Sequence, residues 1–257
     1  MKKIISITIL IILLTAINTT AQTCKNETNN NEDEWMGYLR IEGKDNTVWE
    51  GTITTGPTIV TAKNHDTGID EEHTIDFPSP LGALDKASKQ AGFTCIVEYW
   101  PSYSAFLITE INDDSDWWHY WVDYNIQMDC VGTYELNSED KEILIGYYED
   151  WYAHPLKISV DKTEIKKDEE ITITVTDETD TPLEGATVKI NSNTETTGND
   201  GTVTVTLSEK GTYSVYAESD DYIRSEKIDV KVKAKNKIKT LDLLIIFPIL
   251  KTFLKYF

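Results

Sequence analysis

Residues 117–122 read Trp-Trp-His-Tyr-Trp-Val, with four aromatic residues in six positions. Alternate side chains of a β-strand point to opposite faces of its sheet. If the stretch is a strand, Trp117, His119 and Trp121 share one face, and the other three residues share the opposite face. Because Val is a better core residue than His, we expect the face of Val122 to pack in the core. The face of His119 is then a candidate stacking surface, and the alternative is that both faces are ordinary core.

The sequence around this block predicts an α+β head domain over residues 35–153. Residues 38–42 and 48–53 have strand-like patterns, and a third strand is expected to continue the same sheet from residue 58. Ser79 is a suitable N-cap for a helix that Gly92 can end in the left-handed conformation. One helix on a mixed sheet is an α+β arrangement.

The order of these parts resembles a known family. The motifs that carry the resemblance are Ile41-Glu42-Gly43, Glu50-Gly51-Thr52-Ile53, Val60-Thr61-Ala62, Gly82-Ala83-Leu84-Asp85-Lys86-Ala87, the block at 117–122 and Ile143-Leu144-Ile145-Gly146-Tyr147-Tyr148. Together they resemble the transcobalamin C-terminal-like domain, an exported microbial domain of unknown function. The resemblance implies a β-grasp-like fold, and in animal vitamin B12 carriers this domain forms the lid over the corrinoid. We expect no resident cofactor here, because the large helical domain of those carriers has no counterpart in this sequence, and a cobalamin-like ligand remains one alternative.

Residues 156–234 predict an all-β module. Ile171, Ile173 and Val175 alternate with threonines, and Asn199-Asp200-Gly201 is a tight-turn sequence. About seven such short strands indicate an antiparallel β-sandwich. The segments 182–190 and 211–217 resemble the immunoglobulin-like repeats of bacterial and archaeal adhesins and the regulatory domain of carboxypeptidases. That resemblance implies a spacer and no activity of its own.

The two ends of the chain predict export and attachment to a surface. Residues 1–21 combine a basic start, an apolar run and small residues, which is typical of a secretory signal peptide. Residues 22–34 read as a disordered acidic spacer. The tail at 235–257 is basic and apolar, which favours contact with a membrane, and whether residues 241–257 span it stays open. We therefore expect an extracellular protein that is held at the cell surface or anchored in the membrane.

The cysteines agree with an oxidising compartment. Cys95 and Cys130 both lie in the predicted head, and we expect them to form a disulfide. Cys24 lies alone in the polar N-terminal segment, where a free thiol, an intermolecular disulfide and lipidation are all open.

Composition and motifs exclude several classes of function. The net charge of −20 argues against nucleic-acid binding, which needs clustered Lys and Arg. The sequence has no nucleophile elbow, zinc-binding helix, phosphate loop or dinucleotide fingerprint, so we expect no catalytic residues and no enzyme. We expect no metal site either, because His119 has no second ligand at a recognisable spacing.

Two hypotheses remain for the function. In the first, an aromatic face of the head binds a corrinoid-like small molecule or a glycan and is held out by the β-sandwich stalk. In the second, the protein is a structural or adhesin-like envelope protein that contacts other envelope proteins. The candidate binding residues are Trp117, His119, Trp121, Tyr99, Trp100, Tyr103 and Tyr124.

Overall fold

A computed structural model describes residues 33–150 and 154–235 of the chain. The first module holds ten strands and one helix, α1 (Pro80–Ala91), within these residues. The strands are β1 (Trp35–Glu42), β2 (Thr47–Thr55), β3 (Thr58–Asn64), β4 (Asp70–Ile75), β5 (Cys95–Trp100), β6 (Ala105–Ile111), β7 (Asp114–Ser115), β8 (Trp118–Val122), β9 (Asn125–Ile126) and β10 (Glu142–Tyr147). A single 3-10 turn, Pro101–Tyr103, joins β5 to β6.

Helix α1 begins and ends as its sequence predicts. The side chain of Ser79 accepts a hydrogen bond of 3.0 Å from the amide of Gly82. Gly92 has a φ of 79°, and its amide donates to the carbonyl of Ser88. The left-handed residue and the side-chain cap satisfy backbone groups that a helix end leaves without partners. The buried side of the helix packs Leu81 and Leu84 into the core of the head.

The strands of the head form two sheets, which differs from the single mixed sheet that we expected. The first sheet has the order β2-β1-β10-β8-β9 and the second has the order β4-β3-β5-β6-β7. The chain leaves the first sheet at Gly56-Pro57, directly between β2 and β3, because proline has no amide to continue a strand ladder. Strand β3 therefore starts the second sheet. Both sheets and α1 contribute to one hydrophobic core.

The centre of the first sheet is buried on both faces. In its central strand β10, three consecutive residues, Ile143, Leu144 and Ile145, are at most 2% exposed. Ile143 and Ile145 point into the core of the head, whereas Leu144 belongs to a separate cluster with Ile223 of the second module. The outer face of this sheet is thus the surface on which the two modules dock.

The second module is the β-sandwich that the alternating pattern predicts. Its strands are β11 (His154–Pro155), β12 (Lys157–Val160), β13 (Glu164–Lys166), β14 (Glu169–Thr176), β15 (Thr187–Ile190), β16 (Asn193–Thr196), β17 (Thr202–Leu207), β18 (Gly211–Glu218), β19 (Tyr222–Ile223) and β20 (Ile228–Lys233). Sheets β12-β14-β17 and β13-β20-β18-β15-β16 enclose a core of alternating residues that includes Ile171, Ile173 and Val175. Gly201 takes a φ of 71° in the predicted turn.

Several predictions for the chain ends concern residues outside the described ranges. These are the signal peptide at 1–21, the spacer up to residue 32, Cys24 and the tail after Lys235. Among the residues described, no helix has the length and the apolar character needed to cross a membrane.

Candidate functional site

The core-facing half of the aromatic block lies where the sequence predicts. Trp118, Tyr120 and Val122 are between 3% and 8% exposed and belong to the core of the head. The indole N–H of Trp118 and the hydroxyl of Tyr120 both donate to backbone carbonyls, at 3.1 and 2.9 Å. Strand β8 starts at Trp118, because Asp116 and Trp117 both have a positive φ and form the preceding turn. Trp117 is 40% exposed at this turn.

The prediction that Trp121 lies on an exposed stacking face is wrong. Its side chain is 1% exposed and packs with Leu144 and with Ile223 of the sandwich. Nearby, a Cβ atom on Gly146 would lie 2.5 Å from the Cδ1 atom of Ile223, so the modules approach closely at this point. The physical reason for the error is that the second module covers this face. Trp121 stabilises the docking of the modules and offers no surface to a ligand.

His119 lies beside Trp121 on the same face of β8. Its Nε2 atom is 3.2 Å from the carbonyl oxygen of Tyr148, to which it donates, and its ring centroid is 6.1 Å from that of Trp121. Burial lowers the pKa of the imidazole below its ordinary value, although hydrogen bonds to Tyr148 and Asp150 act in the opposite direction. A half-buried, neutral imidazole that bonds to backbone is a structural residue. The expected role of His119 as a stacking group is therefore not supported by its position.

Tyr124 also belongs to the contact between the modules. Its hydroxyl donates a hydrogen bond of 2.7 Å to the Oε2 atom of Glu226 in the sandwich, and the ammonium of Lys157 lies 5.0 Å from its ring centroid. Burial raises the pKa of the phenol well above its ordinary value. Two of the seven candidate residues, Tyr124 and Trp121, are thus used by the fold at the contact between the modules.

A buried ionic group lies at the same interface, and sequence reasoning missed it. Arg40 and Glu42 are 1% and 2% exposed, on the outer face of β1. The Nη1 atom of Arg40 donates to the carbonyl of Arg224 at 2.6 Å and to Glu42 at 3.3 Å. The guanidinium of Arg224 in turn donates to Glu42 at 3.0 Å. One carboxylate therefore links an arginine from each module, and no signal in the sequence joins residues that are more than 180 positions apart.

The remaining candidates lie on the second sheet of the head and face in two directions. Tyr99 points inward, where its ring is 4.1 Å from that of His73 and 5.0 Å from that of Phe106. Trp100 points to the other side of β5 and stacks on His65, with 3.3 Å between ring centroids and 15° between planes. Tyr103 is 76% exposed, and its ring is 6.4 Å from that of Trp100. We call His65, Trp100 and Tyr103 the exposed aromatic group.

The exposed aromatic group lies on a polar and partly apolar sheet face. The imidazole Nδ1 of His65 lies 3.1 Å from the Oε2 atom of Glu98. The strand register places Lys63, Glu98 and Leu107 side by side across three strands of this face. Leu107 is 49% exposed, and Ile59 of β3 is 56% exposed on the same face. The outer face of the second sheet is therefore open to solvent, unlike that of the first.

The predicted disulfide between Cys95 and Cys130 is absent, and both thiols are free. Val131, next to Cys130, accepts a hydrogen bond from Leu81 at the start of α1, whereas Cys95 lies just beyond Gly92, which ends this helix. The ends of a twelve-residue helix are about 18 Å apart, which is far beyond the span of a disulfide. Cys95 is partly buried against the core of the head. Burial, and then the charge of Asp85, raises the pKa of its thiol to about 12.

Comparison with known proteins characterises the second module. Residues 170–244 match the family model of the carboxypeptidase regulatory-like domain. The match supports the immunoglobulin-like sandwich that the sequence predicts, and such a module is consistent with a non-enzymatic, adhesin-like role. No curated protein matches the chain. The family comparison does not support the transcobalamin-like resemblance of residues 35–153.

Within residues 33–150 and 154–235, no three or more His, Cys, Asp or Glu residues are grouped so that they could hold a metal ion. The open face of the second sheet offers the exposed aromatic group together with the carboxylate of Glu98 and the ammonium of Lys63.

Proposed function

We propose that this protein is an exported, surface-tethered and non-enzymatic adhesin-like protein whose head binds a glycan. The observation that carries the proposal is the exposed aromatic group on the open face of the second sheet. Tyr103 offers most of its ring to solvent, and Trp100 is held in place by its stack on His65. Aromatic rings in fixed positions supply a large contact area with little loss of conformational entropy.

The shape of the surface favours an extended ligand over a compact one. A small molecule is usually bound in a concave site that buries most of its surface, and an open sheet face does not enclose a corrinoid. A glycan chain can lie across the face, with apolar ring faces against Trp100 and Tyr103 and hydroxyls towards polar side chains. Glu98 and Lys63 lie on this face and supply an acceptor and a donor.

The sandwich supports this proposal as a spacer with a fixed attachment to the head. Arg40, Glu42 and Arg224 form a buried ionic group between the modules, and Trp121 packs on Ile223 beside it. A head held in this way presents the exposed aromatic group at a constant orientation to its stalk. The signal-like residues 1–21 and the tail at 235–257 support export and attachment to a surface.

A second candidate function is docking to another envelope protein through the same face. The observation that favours it is that the apolar side chains of Ile59 and Leu107 are 56% and 49% exposed on this face. The two candidates differ in what binds, and both use the open face of the second sheet.

A glycan array probed with the full chain tests the proposal. We expect a defined set of glycans to bind, with Tyr103→Ala weakening the binding about fivefold because a stacking contact contributes about 1 kcal/mol. Tyr103→Phe retains the ring and serves as the matched variant with near-normal binding. An array without bound glycans would contradict glycan binding and favour the docking of a protein. Equal binding by the Ala and Phe variants would show that the glycan does not bind at the exposed aromatic group.

A further inference from the structure

The open face of the second sheet holds more carboxylates than ammonium groups. The five strands of this sheet contain a single lysine, Lys63, and no arginine. The carboxylates of Asp70, Glu72 and Glu98 belong to the same face as this lysine. Because the chain as a whole has a net charge of −20, nothing farther away offsets this excess. The electrostatic potential over the open face is therefore negative, which favours a ligand with positive charge.

The strand register brings these charged residues together. Lys63 of β3 lies opposite Asp70 of β4 and beside Glu98 of β5. Thr61, two residues before Lys63, lies opposite Glu72. Side chains two positions apart in a strand point to the same side of a sheet, so all of these residues share the open face. Neighbouring strands are about 4.8 Å apart, which places Asp70 about 10 Å from Glu98.

The carboxylates of Asp70 and Glu72 are available to a ligand. Both residues are exposed, and in the part of the chain that the structure describes no basic side chain forms an ion pair with either of them. Glu71, which lies between them in the sequence, points to the other side of β4, where both of its oxygens are 3.1 Å from the Nδ2 atom of Asn64. An ammonium group of a ligand can therefore bind at two carboxylates without displacing an ion pair of the chain.

The exposed aromatic group and these carboxylates lie within reach of one extended ligand. The Oε2 atom of Glu98 is 3.1 Å from the Nδ1 atom of His65, whose ring stacks on Trp100. The strand order β4-β3-β5 then leads from Glu98 across Lys63 to Asp70. An oligosaccharide that stacks on Trp100 can thus continue over two strands to Asp70.

We propose that the glycan bound by the open face carries free amino groups, as an oligomer of glucosamine does. The proposal rests on the glycan binding proposed above and names the class of glycan. The ammonium groups lie at Asp70 and Glu72, while sugar rings stack on Trp100 and Tyr103. Sialylated and sulfated glycans bind poorly, because their anionic groups meet the same carboxylates and are repelled.

Calorimetric titration of the full chain with a chitosan oligomer and with a chitin oligomer of the same length tests this proposal. The two have the same sugar ring and linkage, but N-acetylation removes the positive charges of the chitin oligomer. In a mildly acidic buffer that keeps the amino groups protonated, we expect the chitosan oligomer to bind about tenfold more tightly. The preference should decrease as salt is added, because ionic contacts at an exposed surface are screened.

Two double variants with equal change of charge locate the site. Asp70→Asn with Glu72→Gln removes the two available carboxylates and should reduce the preference for the chitosan oligomer from about tenfold to about twofold. Glu184→Gln with Asp229→Asn removes two exposed carboxylates of the sandwich and should leave the preference unchanged. Equal effects of the two double variants would show that the oligomer responds to the net charge of the chain, and the proposal would fail. Circular dichroism of both checks that the fold is intact.

The outcomes distinguish the amino preference from glycan binding itself. Tyr103→Ala should weaken the binding of both oligomers by the same factor, because stacking on a ring does not depend on the amino charge. Equal or tighter binding of the chitin oligomer, or tight binding of a sulfated oligosaccharide, would overturn the amino preference and leave glycan binding in place. Absence of binding by every glycan would overturn both proposals.

Discussion

The head has two aromatic stretches, at residues 117–122 and 99–103, that look alike in the sequence but differ in exposure in the structure. The outer face of β8 carries Trp121, which the sandwich covers, whereas the outer side of β5 carries Trp100, which remains at an open face. The difference lies in the neighbouring strands. Next to Trp121, β10 is apolar at three consecutive positions and therefore needs cover on both faces. Next to Trp100, the strands alternate apolar residues with Lys63 and Glu98. Aromatic content alone does not predict which sheet face stays open. The composition of the adjacent strands distinguishes the covered face from the open one.

Replacing each tryptophan by alanine should give the largest difference between the two groups. Trp121→Ala leaves a cavity between the modules, and we expect the free energy of unfolding to fall by about 3–5 kcal/mol. Trp100→Ala removes a ring that is only partly buried, so we expect a loss of about 1 kcal/mol. Urea denaturation followed by circular dichroism measures both values. Equal losses would show that the two rings are equally buried and would remove the contrast between them.

Removing the buried carboxylate of Glu42 at the interface should give the next largest loss of stability. Glu42→Ala leaves the buried guanidinium of Arg40 without its carboxylate partner, and we expect a loss of about 3 kcal/mol in the free energy of unfolding. Glu50→Ala is a matched control, because Glu50 lies opposite Arg40 in the register of β1 and β2 but has a partly exposed carboxylate, 3.5 Å from the Nζ atom of Lys227. We expect the control to lose less than about 1 kcal/mol. A small loss in Glu42→Ala, measured in the same denaturation experiment, would show that the ionic group does not fix the modules.

Adding a side chain at Gly146, where the modules approach closely, should lower the stability by a smaller amount. Gly146→Ala places a methyl group 2.5 Å from Ile223, and we expect the overpacking to cost about 1–3 kcal/mol. Gly211→Ala is the control, because a Cβ added at Gly211 would have no atom within 4 Å and the φ of this residue is not positive. That variant should be neutral or slightly more stable. Equal stability of the two variants in thermal melts would show that Ile223 of the sandwich does not pack closely against Gly146 of β10.

Replacing His119 should change the stability least, and the size of this change depends on pH. Its pKa is lower in the folded protein than in the unfolded chain, mainly because of burial. Above about pH 6.5 both states hold a neutral imidazole, so the contribution of His119 to stability is complete. As the pH falls from about 6.5 towards the folded pKa, the unfolded chain takes up the proton first and stability decreases. His119→Gln should lose less stability between about pH 7.5 and about pH 5 than the unchanged chain does. An identical loss in both proteins would exclude this linkage.

Local signals in the sequence predicted much of the fold. Ser79 and Gly92 define the ends of α1 because capping depends on residues within one turn of the helix. The sandwich follows from a two-residue period and from turn residues such as Gly201. The division of the head into two sheets was not predicted, although Pro57 marks the point where the chain leaves the first sheet. In the sequence, Pro57 is compatible either with a bend within one sheet or with a following strand that joins a second sheet.

The candidate site could be predicted only in part, because its members meet through contacts distant in the chain. The inward direction of Trp118, Tyr120 and Val122 follows from alternation, which is local. Trp121 is covered by Ile223, which lies far along the chain, and no periodic pattern in the sequence predicts such a contact. His65 reaches Trp100 for the same reason, across two strands that pair in parallel. The disulfide prediction failed because cysteine count and compartment carry no information on the distance between two side chains.

Strand β19 has a mechanical consequence for the surface attachment that we propose. Its residue Ile223 pairs with Pro155, at the start of the sandwich, and also packs on Trp121 of the head. Tension between the head and the stalk is therefore shared between the covalent chain that joins them and the packed contact beside it. The two modules must slide apart across Trp121, Glu42 and Arg224 before the connecting chain alone carries the load. Force applied to the head would thus be transmitted by side chains as well as by the backbone.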